Sequence, residues 1–304
     1  MKQTFYSNGK LLITSEYVVL DGAKALALPT KFGQDLVIEE SANQEICWTS
    51  YDSDGSFWFE DTFLFSVIEA KTFFENQPVK NTLIAILHQA FLLNPTFLKR
   101  SKGYTISTHL TFPKFWGLGT SSTLINNIAQ WLQIDAFILL KNSFGGSGYD
   151  IACAQNNTAI LYQLVKGNPI VEPIVFLPEC RSNWYFVYLN QKQSSKNAIA
   201  TFYKKRPASL APLLPTFDTI TNTISRQTDY NTIKSQLEQH ENQMGKILEL
   251  TPVKERLFPD FNGTIKSLGA WGGDFVLVIS KENPSDYFKK KGYETIVPYA
   301  EMIL

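Results

Sequence analysis

The stretch that most constrains this chain is Pro113-Lys-Phe-Trp-Gly117-Leu-Gly119-Thr120-Ser121-Ser122. An alternating run from Tyr104 to Phe112 leads into it and reads as a half-buried strand. Out of it runs Thr123 to Leu132, where Leu124, Ile128, Trp131 and Leu132 recur at helical spacing. A strand, a glycine turn and a hydroxyl-rich helix start together build an anion cradle. Glycine lets the backbone approach a phosphate closely, the first helical N–H groups are unpaired, and the helix dipole favours negative charge there. The same residues also suit a plain strand-to-helix turn with a Ser/Thr cap.

A chain of 304 residues buries a sizeable core and suggests about two domains. Lys+Arg and Asp+Glu both number 28, so no overall basic field exists to hold nucleic acid. Cys47, Cys153 and Cys180 are odd in number and far apart, which reads as reduced thiols rather than a disulfide framework. His88, His109 and His240 have no second ligand at metal spacing and read as structural or surface residues. No apolar stretch is of signal or membrane-spanning type, and a cytoplasmic location is expected.

Lys10–Thr14 reads as a strand, followed by a hairpin of Tyr17–Leu20 and Ala25–Leu28 about Asp21-Gly22. Strands are expected at Asp35–Glu39 and Glu45–Tyr51, with a second Asp-Gly turn at Asp54-Gly55. Helical periodicity covers Phe63–Phe74 and Asn81–Leu93, with Pro78 as a break between them. A small-residue helix, Ile151–Ala154, follows Phe144-Gly-Gly-Ser-Gly-Tyr-Asp150. The expected division is 1–166 and 167–304, placed at Lys166-Gly-Asn-Pro169. Further on, Trp184–Leu189, Thr264–Leu268 and Phe275–Ile279 read as strands, and Ile233–Leu250 as a long amphipathic helix. The mixture indicates an α+β arrangement in two lobes.

Three other glycine-bearing segments look built for function: Asn8-Gly9-Lys10 with Ser15-Glu16-Tyr17, Gly145 to Asp150, and Gly269-Ala-Trp-Gly-Gly-Asp274. No G-x-x-x-x-G-K-[ST] loop occurs. Pro-x-x-x-Gly-Leu-Gly with hydroxyl residues resembles the middle motif of the small-molecule kinases named for galactokinase, homoserine kinase, mevalonate kinase and phosphomevalonate kinase (the GHMP superfamily). Gly9-Lys10 and Glu16 resemble its first motif, Pro-Gly-Lys…Gly-Glu-His, and Gly269–Asp274 its third, Gly-Ala-Gly-Gly-Gly-Asp. Ser147-Gly-Tyr-Asp150 is similar to the segment carrying the catalytic aspartate in the mevalonate and phosphomevalonate kinases, and Gly148-Tyr-Asp-Ile-Ala152 resembles a signature of that branch.

The resemblance implies an N-terminal ATP-binding lobe of ribosomal-protein-like type and a C-terminal ferredoxin-like lobe. It implies ATP and Mg²⁺ as cofactors and a small-molecule substrate, first of all mevalonate or phosphomevalonate. Gly117, Leu118, Gly119, Thr120, Ser121 and Ser122 would hold the phosphates, with Thr120 at the hydroxyl position that touches Mg²⁺. Asp150 would take the proton of the substrate alcohol, and Lys10 would neutralise the transferred phosphoryl group. By the same resemblance, Glu16, Tyr17, Ser147, Gly148, Gly272 and Gly273 would stand on the substrate side. A homodimer is one option for partners, and nucleic acid and membrane are not expected.

This chain departs from the pattern at named positions. Asn8 replaces a proline, Ser15 a glycine, Tyr17 a histidine and Trp271 a glycine, leaving a reshaped third-motif loop or an outward-turned ring as alternatives. Ala136–Asn142 lacks the acidic metal ligand of the mevalonate kinases, and Asp135 is the nearest carboxylate. Two rival functions follow: an enzyme like diphosphomevalonate decarboxylase, which Lys10 opposes, and a non-catalytic nucleotide-binding relative.

Overall fold

In the computed structural model, residues 2–191, 195–205, 209–271 and 273–304 are described. They form two compact units. Unit 1 comprises 1–9, 32–114 and 118–155, and unit 2 comprises 10–31, 115–117 and 156–304.

In unit 1 the strands are the start of β1 (Gln3–Leu12), the second half of β2 (Ala25–Glu40), β3 (Glu45–Tyr51), β4 (Phe57–Leu64) and, after three helices, β5 (Tyr104–Leu110). The helices are α1 (Phe65–Glu69), α2 (Pro78–Leu93), α3 (Thr96–Lys99), α4 (Thr120–Leu132), α5 (Ala136–Ser143) and α6 (Tyr149–Gln155). The strand order is β4-β3-β5-β2, antiparallel except for the parallel β3–β5 pair. Leu36, Ile38, Ile46, Trp48 and Ile106 alternate along these strands and turn to one face, where α2, α4 and α5 cover them. On α4, Ile125, Ile128, Ala129 and Leu132 face that core, and Trp131 meets Tyr104 edge-on at 5.0 Å.

A buried polar seam fixes α4. The Ser7 hydroxyl donates to Asn127 Oδ1 (2.7 Å), Asn127 Nδ2 to the Gln34 carbonyl (2.9 Å) and the Thr123 hydroxyl to Gln34 Oε1 (2.7 Å). Each buried polar atom in the seam has a defined partner, so slippage of the helix would orphan several at once.

In unit 2, the first part of β2 pairs antiparallel with β6 (Ile160–Val165), and β6 with β7 (Asn168–Pro173). The expected division at 166/167 falls in the turn of that last hairpin. Then come β8 (Trp184–Tyr188), α7 (Ser195–Lys205), α8 (Leu214–Arg226), α9 (Tyr230–Leu248), α10 (Val253–Leu257), β9 (Thr264–Ser267), β10 (Phe275–Ile279), α11 (Ser285–Lys290), β11 (Ile296–Pro298) and α12 (Tyr299–Met302). The second sheet is antiparallel with the order β11-β8-β10-β9. Numbered within that sheet the order is 4-1-3-2, with helices after its first and third strands. This is the ferredoxin-like arrangement the resemblance implied.

Three local expectations fail. The hairpin about Asp21-Gly22 is absent: Val18–Asp21 is a short 3₁₀ helix, and Gly22 (φ 98°) ends it. Val18 and Val19 are adjacent and both buried, which a half-exposed strand would not allow. Helix over Phe63–Phe74 reduces to α1, because Phe63 and Leu64 complete the β3–β4 ladder that begins at the Asp54-Gly55 turn. Pro78, expected as a break, is the first residue of α2, where its missing N–H costs nothing.

Candidate active site

The glycine turn does what its composition requires. Gly117 (φ 71°) and Gly119 (φ 104°) are left-handed, a conformation that costs other residues about 1–2 kcal/mol. Gly119 caps α4, and the N–H groups of Thr120, Ser121 and Ser122 belong to the first helical turn, which has no intrahelical acceptors. Thr120 and Ser121 are half-buried. Ser122 differs: it is buried, and its hydroxyl donates to the Gly119 carbonyl (2.9 Å), which stiffens the turn. Leu118 is fully buried and anchors the loop, so only its main chain is available to a ligand.

Unit 2 brings part of the first and third motifs to Gly117. The Lys10 ammonium donates to the Gly117 carbonyl at 2.9 Å. Asp274 also stands against Gly117, so close that a β-carbon on Gly117 would lie 2.5 Å from its carboxyl carbon. Trp116 meets Phe275 edge-on at 5.4 Å, and the Tyr188 hydroxyl donates to the Phe115 carbonyl (3.0 Å), so aromatic packing holds the segment that enters the turn.

The Ser15-Glu16-Tyr17 turn lies inside unit 2. Ser15 (φ 65°) and Tyr17 (φ 63°) are both left-handed without being glycine. Glu16 is 1% exposed; its Oε1 accepts from Lys266 Nζ at 2.6 Å. Lys266, fully buried on β9, also lies 3.5 Å from Glu241 Oε2, and Glu241 accepts from the Ser267 hydroxyl at 2.5 Å. Burial pushes Glu16 up to about 7 against the opposing pull of Lys266. His240 Nε2 accepts the Ser15 N–H at 2.6 Å, and burial, with Lys266 adding to it, holds this imidazole neutral with a pKa well below the ordinary histidine value. His240 is thus a core residue, the structural one of the two readings the sequence left open.

Tyr17 packs on Phe202 (5.1 Å) in an apolar cluster that also contains Trp271. Burial, then Glu16 and Asp274, raise the Tyr17 phenol well above its usual range. Trp271 (φ 53°) is 6% exposed, which overturns the outward-turned alternative. Ser15 and Trp271, the two residues that the resemblance sets at glycine positions, are both left-handed. Glycine is the residue such a backbone favours, and here the strain is carried by a well-packed surrounding.

On α6, Gly148 (φ 90°) precedes the helix and its carbonyl accepts the Ala152 N–H (3.1 Å), so the capping position belongs to Gly148. Asp150 is a half-buried first-turn residue whose Oδ1 accepts the Ile151 N–H at 3.1 Å. Gln155 Nε2 donates to Asn126 Oδ1 on α4 (2.9 Å), which ties the Asp150 helix to the glycine-turn helix. Ser147 is half-buried and Gly273 buried. Gly272 lies outside the described residues. Asp135 is occupied as the cap of α5, accepting from the Phe137 and Ile138 N–H groups, which accounts for an acidic residue there without a metal.

Lys266 and Glu241 were not singled out from the sequence. The sequence carried no signal for them, since only the folded chain buries all four residues of Thr264-Ile-Lys-Ser.

The turn suits the phosphates of a nucleotide, since Gly117 and Gly119 offer no β-carbon and the α4 N-terminus offers unpaired donors. Thr120 offers a hydroxyl oxygen at the same place. Among the described residues no group of three or more His, Cys, Asp or Glu side chains stands together as a metal cage. Mg²⁺ commonly keeps several waters and binds through substrate phosphates with one or two protein oxygens, which this site can accommodate. Among the described residues, no helix is long and apolar enough to cross a membrane.

No protein-family profile matches the sequence, and no curated protein sequence matches it. Solved structures do match. Mevalonate kinase of Methanococcus jannaschii is 16% identical with a TM-score of 0.70, over 97% of this chain and 96% of that one. Phosphomevalonate kinase of Streptococcus pneumoniae, in complex with phosphomevalonate and AMPPNP, is 16% identical with a TM-score of 0.66, over 99% and 98%. Galactokinase of Lactococcus lactis, complexed with galactose, is 12% identical with a TM-score of 0.60, over 95% and 88%. With two sheets, a glycine turn opening α4 and these neighbours along almost its whole length, the chain has the α+β fold of the GHMP small-molecule kinases.

Proposed function

We propose that this protein is an ATP-dependent kinase that transfers a phosphoryl group to an oxygen of a small metabolite, with mevalonate or phosphomevalonate the first acceptors to try. The observation that carries the reading is the left-handed glycine turn at the start of α4, with its Gly117 carbonyl held by Lys10. Phosphoryl transfer depends on positioning and charge stabilisation more than on covalent chemistry by the protein. When bound, the magnesium nucleotide supplies the phosphoryl group. Main-chain N–H groups from Gly119 to Ser122 bind its phosphates, and Thr120 contributes a hydroxyl. Asp150 accepts the acceptor's proton, and Lys10 offsets negative charge on the moving group. By the resemblance, Tyr17, Ser147, Gly148 and Gly273 are the acceptor-side candidates.

Purified protein incubated with ATP, Mg²⁺ and a panel of alcohols and phosphomonoesters tests this. ADP formed only with one acceptor class supports the reading. ATP binding without ADP formation for any acceptor sinks it in favour of a non-catalytic relative, and carbon dioxide release from diphosphomevalonate sinks it in favour of a decarboxylase.

A further inference from the structure

Lys266 presents a physical puzzle. It is fully buried, on a strand otherwise built of Thr264, Ile265 and Ser267, and a buried ion pair is rarely the most stable way to fill such a place. Its bonds suggest why a lysine stands there. Nζ donates to Glu16 Oε1 (2.6 Å) and to the Ser267 carbonyl (2.5 Å), and Glu241 Oε2 lies 3.5 Å away. Glu241 in turn accepts the Ser267 N–H (3.2 Å) and hydroxyl (2.5 Å). One ammonium therefore joins the first-motif turn, 250 residues earlier, to the strand that leads into the third motif.

Both joined segments are strained. Ser15 and Tyr17 on one side and Trp271 on the other are left-handed, and such residues persist only where their surroundings over-determine them. The Ser15 N–H is held by His240 Nε2 (2.6 Å) and its hydroxyl by the Lys24 carbonyl (2.6 Å), while Tyr17 and Trp271 share one apolar cluster. Glu16, between the two strained residues, is held through Lys266.

We propose that Lys266 is a positioning residue: acting through Glu16 and Glu241, it locks the Ser15–Tyr17 turn to the third-motif strand and so fixes the acceptor side of the site. Lys266 itself touches no substrate. The proposal rests on the kinase reading for its effect on turnover, but its mechanical part is independent of that reading.

The test uses the full chain as wild type, Lys266→Met, and the double variant Glu16→Gln/Lys266→Met, which carries no isolated buried lysine or Glu16 charge. Amide hydrogen exchange over residues 13–18 and 267–271 is read against exchange in β8 and β10. In the double variant both loops should exchange about tenfold faster while β8 and β10 stay near wild type, the mark of local opening. With an active acceptor, kcat should fall about 10- to 100-fold, as misplacement of a reacting group costs, and acceptor KM should rise while nucleotide affinity holds. Exchange at 13–18 unchanged by loss of Lys266, or a double variant with wild-type kcat, would overturn the proposal. If Lys266→Met does not fold, the double variant alone carries the test. A wild type inactive toward every acceptor defeats the kinase reading, and the exchange comparison still decides the lock.

Discussion

Gly117 and Asp274 stand against each other so closely that no side chain fits between them: a β-carbon on Gly117 would lie 2.5 Å from the Asp274 carboxyl carbon and from its Oδ2. Two motifs 157 positions apart in the chain (274 − 117) thus depend on a hydrogen atom in place of a methyl group. Gly117→Ala is expected to lose about 1–2 kcal/mol from the left-handed backbone and to push Asp274 aside. Thermal melts with and without Mg²⁺-ATP check this. Nucleotide should raise the wild-type midpoint and leave that of the variant where it was. An equal nucleotide shift in both proteins would show that the close approach is irrelevant to binding.

Asp150→Asn should lower kcat by about two to four powers of ten while nucleotide affinity changes little. Helix α6 is capped by Gly148, so its start does not depend on the carboxylate, and any loss of stability is read in the melt. Steady-state kinetics beside a melt separate the two effects. Retention of full turnover by the variant removes Asp150 from the mechanism.

Lys10→Met keeps much of the side-chain volume but removes the donor to the Gly117 carbonyl. We expect a kcat about 10²-fold lower, the usual cost of one lost stabilising donor. A Tm loss with unchanged kcat would assign Lys10 to folding alone.

Two buried groups of unit 2 give opposite pH signatures. Glu16 has its pKa raised from 4.5 to about 7, so the folded state holds its proton more tightly, and this contribution to stability is lost as pH rises from 4.5 to 7. His240 is depressed well below 6.5, so its contribution is present above pH 6.5 and is lost on acidification below that value. Glu16, Glu241 and Lys266 are the charged groups that share this buried network. Removing the Glu16 term leaves the histidine term unopposed. Glu16→Gln should therefore lose more stability than wild type between pH 7 and pH 5. Denaturant midpoints at the two pH values check it, and parallel losses would mean that Glu16 is already ionised in the folded protein at pH 5.

Trp271→Gly restores the residue that the left-handed backbone favours yet empties a place in the Tyr17–Phe202 cluster. Cavity formation costs about 3–5 kcal/mol for a large aromatic side chain and strain relief returns about 1–2. A net loss of about 1–4 kcal/mol is expected in denaturant unfolding. A stability gain would mean that the ring packs poorly.

The sequence alone determined the strand, glycine turn and helix around Gly117–Ser122, because period-2 and period-3.6 patterns and the need for left-handed glycines are local. It also carried a strand–helix–strand series sufficient for an α+β fold. Only the tertiary structure decided which way Trp271 turns, since an indole at a glycine position is settled by the apolar cluster around it. Only tertiary structure replaced the Asp21-Gly22 hairpin by a 3₁₀ turn, because Val18 and Val19 are both buried by elements remote in sequence. The Glu16–Lys266 pair was invisible for the same reason. A lysine among alternating strand residues reads as solvent-facing until its partner, 250 residues away, is folded against it.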